Sequence, residues 1–286
     1  MEKISIDFSE GRKKKIFAHV VIVGAGGTGG LVIQQVSQLF NVFDVYGRMV
    51  LADYDHFEEK NKANQLCLDK DIGKNKADVL AQRYRAAYQV DISTFSSSYI
   101  EDVDTLDNLF NTAYEGCHNY YTTYLPILIS CVDNNFSRQV FHQFFEREHN
   151  LLYLDVGNES VVVPSDYRQR AKSEWTTEEL INYNRSGYTG QLVCGLKLNG
   201  NVITEPIASV FPDILEDKDE IKPSELSCQD LAASDPQRLI TNRYSAMAVN
   251  TILNEIFETG CLSTHKIFYH SKKAYMRSEQ ITQKED

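Results

Sequence analysis

The sequence predicts an α/β fold organised on a doubly wound, mostly parallel sheet, and three observations predict it. The apolar run HVVIVG (residues 19–24) is short, continuous and ended by glycine, as strands buried on both faces are. Glycines at positions 24, 26 and 29 then allow a tight turn from that strand into a helix. Between residues 19 and 158, strand-length apolar runs alternate with segments of helical periodicity, the pattern of successive βαβ units.

The elements follow in order. After the glycines, Val32, Val36, Leu39 and Phe40 recur at helical spacing. RMVLADYD (48–55) reads as a second strand ending in acids. NKADVLAQRYRAAY (75–88) is helical, with Val79, Leu80, Tyr84 and Ala87 on one face and Asp71 and Gly73 punctuating its start. VDISTFSS (90–97) and LPILISCVD (125–133) read as strands, RQVFHQFFERE (138–148) as a helix and LLYLDVGN (151–158) as a further strand. In such a Rossmann-like sheet, ligands sit beyond the carboxyl ends of the strands, where Gly24, Asp53, Asp133 and Asp155 fall.

The second half is read as an appended hairpin and helix layer. TGQLVCGLKLNGNVI (189–203) is a hairpin turning at Asn199-Gly200. FPDILEDKDEIKPSELSCQD (211–230) is an acidic, proline-bearing loop or crossover. PQRLITNRYSAMAVNTILNEIFETG (236–260) is a long helix with Ile240, Tyr244, Met247, Ile252 and Ile256 as its apolar stripe and Gly260 as its cap. HKIFYHSKKAYM (265–276) closes a small sheet. The expectation is one domain over 1–286, in two halves, 1–160 and 161–286.

Composition narrows the classes. Against 40 acids stand 29 Lys and Arg, and a net charge of -11 argues against nucleic acid as the main partner. The basic run Arg12-Lys13-Lys14-Lys15 is a solvated turn before the first strand or, in a sharper reading, a polyphosphate contact. The start of the chain has acids ahead of bases and no long apolar stretch, unlike a signal peptide, and LPILISCV (125–132) is too short to cross a bilayer. Six cysteines at 67, 117, 131, 194, 228 and 261 form no CxxC pair, which excludes the usual zinc-ribbon spacing and gives no disulfide framework. A reduced, cytoplasmic protein without zinc and without a membrane partner is the simplest expectation. Cys131 and Cys194 read as core, and His142, Glu146 and His149 as a solvated helix face.

The glycine loop sets amide N–H groups and a helix N-terminus against an anion, so NAD, FAD and ATP all fit it. Asp53 suits a ribose hydroxyl in NAD or ATP. The segments after it depart from a dehydrogenase. DYDHFEEKNKANQ (53–65) sets acids, an asparagine and a glutamine in one loop. DIGKNKADVL (71–80) puts Lys76 at a helix start within reach of phosphates, and SCVDNNFSRQ (130–139) puts Asp133 at a strand end, where magnesium bridging phosphates needs a carboxylate. No histidine is placed for hydride transfer.

Taken in order, GxGGxG, DxD…NxxxQ, DIGxxKA and CxDN…R resemble the ThiF/MoeB family of ubiquitin-activating-type adenylyltransferases. YLDVGN, GQLVCGL, ELSCQDLAASDPQRLITN and the terminal helix resemble more narrowly the ThiF-like proteins of bacterial PRTRC systems. The resemblance covers nearly the whole chain. It implies binding of ATP and magnesium, adenylation of the C-terminal glycine of a ubiquitin-like protein, and a homodimer. In many members the acyl group then passes to a cysteine, a sulfur donor or a downstream conjugating protein.

By position it implies an ATP site of Gly24, Ala25, Gly26, Gly27, Gly29, Asp53, Asp55, Asn61, Gln65, Lys76 and Asp133. Asp53 would hold the ribose, Lys76 the phosphates and Asp133 the magnesium, with Asn61 and Gln65 lining the phosphate loop and Arg138 in support. Lys76 and Asp133 are the catalytic candidates. Cys228 is the candidate acyl acceptor, or else a packed structural thiol among Glu220, Glu225 and Asp230. One position departs from the family: the arginine common before the NxxRQ glutamine, which reaches the phosphates of the partner subunit's ATP, is Asn64 here, and an amide does not replace a guanidinium fork. Arg12, Lys60, Lys62 and Lys74 are the candidate substitutes. Two other readings stay open: adenylation of a peptide or small carboxylate without a thioester step, and a weakly active docking module, which Asn64 favours.

Overall fold

Lys15–Val23 (β2) is the central strand, buried from Phe17 onward as its unbroken apolar run requires. The computed structural model describes residues 2–110, 118–217, 222–225 and 236–282. A short strand before it, Ile6–Asp7 (β1), pairs with Cys261–Leu262 (β9). β2 runs parallel to Gly47–Ala52 (β3) on one side and Thr122–Ser130 (β5) on the other. Beyond them lie Ile92–Phe95 (β4) beside β3 and Leu151–Asn158 (β6) beside β5, both parallel. The strand order reverses direction between β2 and β5, so the crevice at their carboxyl ends is the place a ligand is expected.

The fold class read from the sequence holds, with one revision. Thr189–Leu198 (β7) joins β6 antiparallel, and Thr264–His270 (β10) and Tyr275–Gln280 (β11) continue outward from it. The segment expected to close a small sheet therefore extends the main one. β7 is almost wholly buried, so it needs a strand on each side. Asn201–Thr204 (β8) folds back on β7 through Asn199 and Gly200, both at positive φ as a tight hairpin turn demands.

On one face of the sheet pack Gly29–Val42 (α1), Lys76–Tyr88 (α2) and the C-terminal helix Leu239–Thr259 (α8). Val103–Phe110 (α3) and Asn135–Arg147 (α4) cover the other face. Thr177–Arg185 (α5) lies between β6 and β7 in the chain, and two single turns, Ile207–Val210 (α6) and Asp213–Glu216 (α7), add to the α4 layer. Asn75 and Asn134 cap α2 and α4 by accepting from the N–H groups of Asp78 and Ser137. Gly260, at φ 77°, ends α8.

Two expected apolar faces are revised. Ala87 of α2 is exposed. In α8, Ile240 and Met247 are 40% and 51% exposed, while Thr241, Asn242 and Ser245 are buried. Polar residues take the inner face at the start of α8 because partners await them there: Thr241 donates to the Gly187 carbonyl, and Ser245 to Asn158. No helix among the described residues is long and apolar enough to cross a membrane.

β2 also carries a titratable group. His19 is fully buried and its Nδ1 bonds with the Tyr124 hydroxyl at 2.8 Å. Burial, reinforced by the nearby Arg48 charge, lowers its pKa to about 4. The unfolded chain takes up a proton that the folded chain refuses, so this contribution is intact above pH ~6.5 and is lost as pH falls toward 4. Urea denaturation of the wild type should lose about 3 kcal/mol more than His19→Gln between pH 7 and pH 4. Identical pH profiles for the two proteins would show that His19 is not the titrating group.

Candidate functional site

The glycine loop occupies the switch point. Gly24 has φ 93°, a region side-chain-bearing residues rarely adopt. A Cβ there would lie 2.9 Å from the Cys131 carbonyl oxygen, and one at Gly29 only 1.8 Å from the Gly24 carbonyl oxygen. The loop is thus pressed against the end of β5, and α1 starts beneath it with no side-chain cap. The N–H groups of Gly30, Leu31 and Val32 bond to the carbonyls of Gly26 and Thr28, and the positive end of the helix dipole is turned to the crevice, where it favours an anion. Nothing approaches within 4 Å of a Cβ built on Gly26, which marks the open side of the loop.

Asp53, just past β3, fastens this loop. Its Oδ2 accepts from the Ala25 N–H at 2.5 Å and its Oδ1 from the Asp55 N–H at 2.8 Å. Burial raises its pKa despite the nearby Lys76 charge and these N–H bonds. Asp55 receives Lys76 Nζ at 3.0 Å and the Tyr99 hydroxyl at 2.5 Å. Burial opposes ionisation of Asp55, but Lys76 and Tyr99 outweigh it and hold the carboxyl below its ordinary value. Lys76 is the first residue of α2, buried beside the crevice. Asn75 orders this corner further, donating to the Asp53 carbonyl at 2.9 Å.

The 53–65 loop is braced by Asn61, whose Oδ1 accepts from the Glu58 N–H at 2.8 Å. Gln65 Oε1 is buried and meets no donor among the described residues. Asn64 turns its carbonyl oxygen toward Gly27, 3.3 Å from where a Cβ would stand. The candidate substitutes for a guanidinium at this position fare differently. Lys60 pairs with Glu58, and Lys62 with Glu59 and Asp69. Lys74 is exposed without an ion pair among the described residues. Arg12 lies before the start of β2, at the opposite end of a nine-residue strand from Gly24, roughly 30 Å away. Arg12 therefore lies apart from this chain's own glycine loop.

Across the crevice, β5 is followed by Cys131, Val132 and Asp133. Cys131 is not inside the strand as expected but one residue past it. Its Cβ would lie 3.3 Å from a Gly29 Cβ, and burial raises its thiol pKa. Asp133 is exposed and makes no hydrogen bond among the described residues. Arg138 does not face the loop. It pairs with Asp155 at 3.1 Å and donates to the Val132 carbonyl at 2.9 Å. Asp155, read as a strand-end acid, sits within β6, only 1% exposed and also bonded by the Tyr153 hydroxyl at 3.0 Å. A buried carboxylate in that position needs the guanidinium, and the pair holds Arg138 to β6. Together they fix the Cys131–Asp133 segment.

The described residues hold no cluster of three or more metal-ligating side chains. Magnesium takes one or two carboxylates and completes its shell with phosphates and water. Asp133, a hard oxygen ligand without a protein donor, fits such an ion.

Sequence reasoning missed Tyr99, Asn158 and Asn242. Asn158 Nδ2 donates to Thr28 Oγ1 at 3.3 Å and to Asn242 Oδ1 at 3.1 Å, so the end of β6 ties α8 to the start of α1. The only signal was their presence in YLDVGN and RLITN, segments whose pattern assigns them no role. Ser224 is bonded through its N–H and hydroxyl to Glu101, at 2.6 and 2.9 Å. Cys228 lies outside the described residues.

Gly29→Ala should lower stability by about 3 kcal/mol, because backbone must part to admit the Cβ, whereas Gly26→Ala should change it by less than about 0.5. Urea denaturation of both variants checks this; equal effects would show the loop is not packed in this way.

A scan of protein families matches residues 3–153 to the ThiF family. No curated protein matches the chain. Among solved structures, PaaA aligns with a TM-score of 0.54 at 16% identity, over 96% of this chain and 66% of that one. E. coli MccB with AMPCPP and MccA aligns with a TM-score of 0.53 at 15% identity, over 97% and 66%. MccB with ATP gives 0.52 at 15% identity, over 93% and 64%. The chain thus spans about two thirds of the length of these proteins, and the likeness is one of fold. With more than half of its residues matched, the chain belongs to the ThiF family.

Proposed function

We propose that the chain is an ATP-dependent adenylating enzyme that activates the C-terminal carboxylate of a polypeptide partner, a ubiquitin-like protein ending in glycine. The observation that carries this reading is the convergence at one switch point of the glycine loop fastened by Asp53, Lys76 at the start of α2, and Asp133 across the crevice. Family membership supports it, as do MccB structures that hold ATP and MccA. The second-half motifs favour, within the family, the ThiF-like proteins of bacterial PRTRC systems.

In this mechanism the partner's carboxylate, already ionised at neutral pH, attacks the α-phosphorus of ATP. A new C–O–P linkage forms, the bond to diphosphate breaks, and no proton changes hands. The reaction asks for positioning and charge stabilisation instead of a side-chain base. The loop amides from Gly26 to Gly29 and the positive end of α1 hold phosphate oxygens, the Ala25 N–H being already given to Asp53. Asp53 keeps lone pairs for ribose hydroxyls beyond the two it gives to N–H groups. Lys76 exchanges Asp55 for a phosphate oxygen, a short move for a side chain already ordered at the site. Asp133 would hold magnesium, which when bound neutralises charge on the diphosphate.

Cys228 is our assignment for any later acyl capture, carried by the resemblance of its segment to that of the related proteins. The exposed Ile240 and Met247 on α8 favour a homodimer. A second reading, a weakly active docking module, draws on Asn64.

Titration calorimetry should show binding of magnesium ATP and none of NAD. Exchange of labelled diphosphate into ATP, stimulated by a protein or peptide with a free C-terminal glycine, should fall about 100-fold or more in Lys76→Ala and in Asp133→Ala. Tight NAD binding without ATP binding would overturn the proposal. ATP binding without exchange under any carboxylate partner would favour the docking module.

A further inference from the structure

The start of α8 presents a donor to the glycine loop that nothing in the described residues satisfies. Asn242 is fully buried. Its Oδ1 accepts from Asn158 Nδ2 at 3.1 Å, and Asn158 is itself oriented by the hydroxyls of Ser245 and Tyr269, which donate to its Oδ1 at 2.7 and 2.8 Å. These bonds decide which end of the Asn242 amide faces the loop. It is Nδ2, which finds no acceptor among the described residues. Nδ2 points at Gly27, lying 2.4 Å from where a Cβ of residue 27 would stand.

An unsatisfied buried donor is costly, and a chain that fixes one with three ordered hydrogen bonds implies an acceptor that arrives later. The surroundings favour an anion. Thr28 and Gly29 begin α1 here, Asn242 lies in the first turn of the 21-residue α8, and neither helix has a side-chain cap, so two positive helix ends meet. Beside Gly27, residue 64 presents a carbonyl oxygen, an acceptor, and Asn242 presents the donor.

We propose that Asn242 is a nucleotide-binding residue whose Nδ2 donates to a phosphate oxygen of the nucleotide held on the glycine loop. The proposal rests on the reading of the crevice as an ATP site. It makes the C-terminal helix a wall of the phosphate site, with Asn158 as the residue that positions the amide. Gly27 is then required for space, since a Cβ there would lie 2.4 Å from Nδ2.

The test is calorimetry of the wild type, Asn242→Asp and Asn242→Ser, each with magnesium ATP and with adenosine, and with melting temperature recorded without ligand. Asp keeps the shape and removes the donor; Ser shortens the side chain and serves if the charged variant does not fold. Magnesium ATP affinity should fall about 10-fold or more in a folded variant, as loss of a hydrogen bond to a charged group does, while adenosine affinity changes less than about twofold. ATP affinity within twofold of the wild type, or equal losses for ATP and adenosine, would overturn the assignment and leave ATP binding by the wild type standing. A wild type that binds no ATP would overturn both readings.

Discussion

The site depends on a single half-buried carboxylate. Asp53 accepts the N–H of Ala25 with one oxygen and the N–H of Asp55 with the other, so the end of β3 holds two loops at once. One bond fastens the glycine loop against Cys131 at the switch point. The other sets Asp55 where it can receive Lys76 and Tyr99. Burial works against the charge that makes these bonds strong, and Lys76 offsets part of that cost. Remove the carboxylate and both loops lose their common anchor.

Two further ties make the second half of the chain part of the same construction. Arg138 and Asp155 bind the α4 start to β6 and reach the Val132 carbonyl, which holds Asp133 at the crevice from behind. Asn158 joins β6 to Thr28 and Asn242, so the strand that leads into the C-terminal half also steadies the start of α1. Because β7, β10 and β11 extend the same sheet, forces on the C-terminal strands and on the phosphate loop are carried by one set of backbone hydrogen bonds.

How much the sequence revealed depends on how local each feature is. The glycine loop, Asp53 and Lys76 were legible because tight turns, strand-end acids and helix starts are set by a few neighbouring residues. β6 was read to the residue, since its buried run is bounded by polar residues at both ends. Asp155 was misplaced because its fate depends on Arg138, seventeen residues away and on another element. The face of α8 was misjudged for a similar reason: Thr241, Asn242 and Ser245 are buried by partners on β6, β10 and the Gly187 turn, none of which helical periodicity can see. α3 and α5 were missed although α5 carries a legible start, Thr176 and Glu179 forming a reciprocal cap. Tyr99 stayed hidden because its link to Asp55 spans forty-four residues.

Hydrogen exchange at the backbone amides, read by mass spectrometry with and without magnesium ATP, tests the nucleotide assignment most directly. Exchange should slow over residues 24–29 and 131–138 while the basic run at 12–15, at the far end of β2, is unchanged. No slowing in the glycine loop, or equal slowing by NAD, would contradict it.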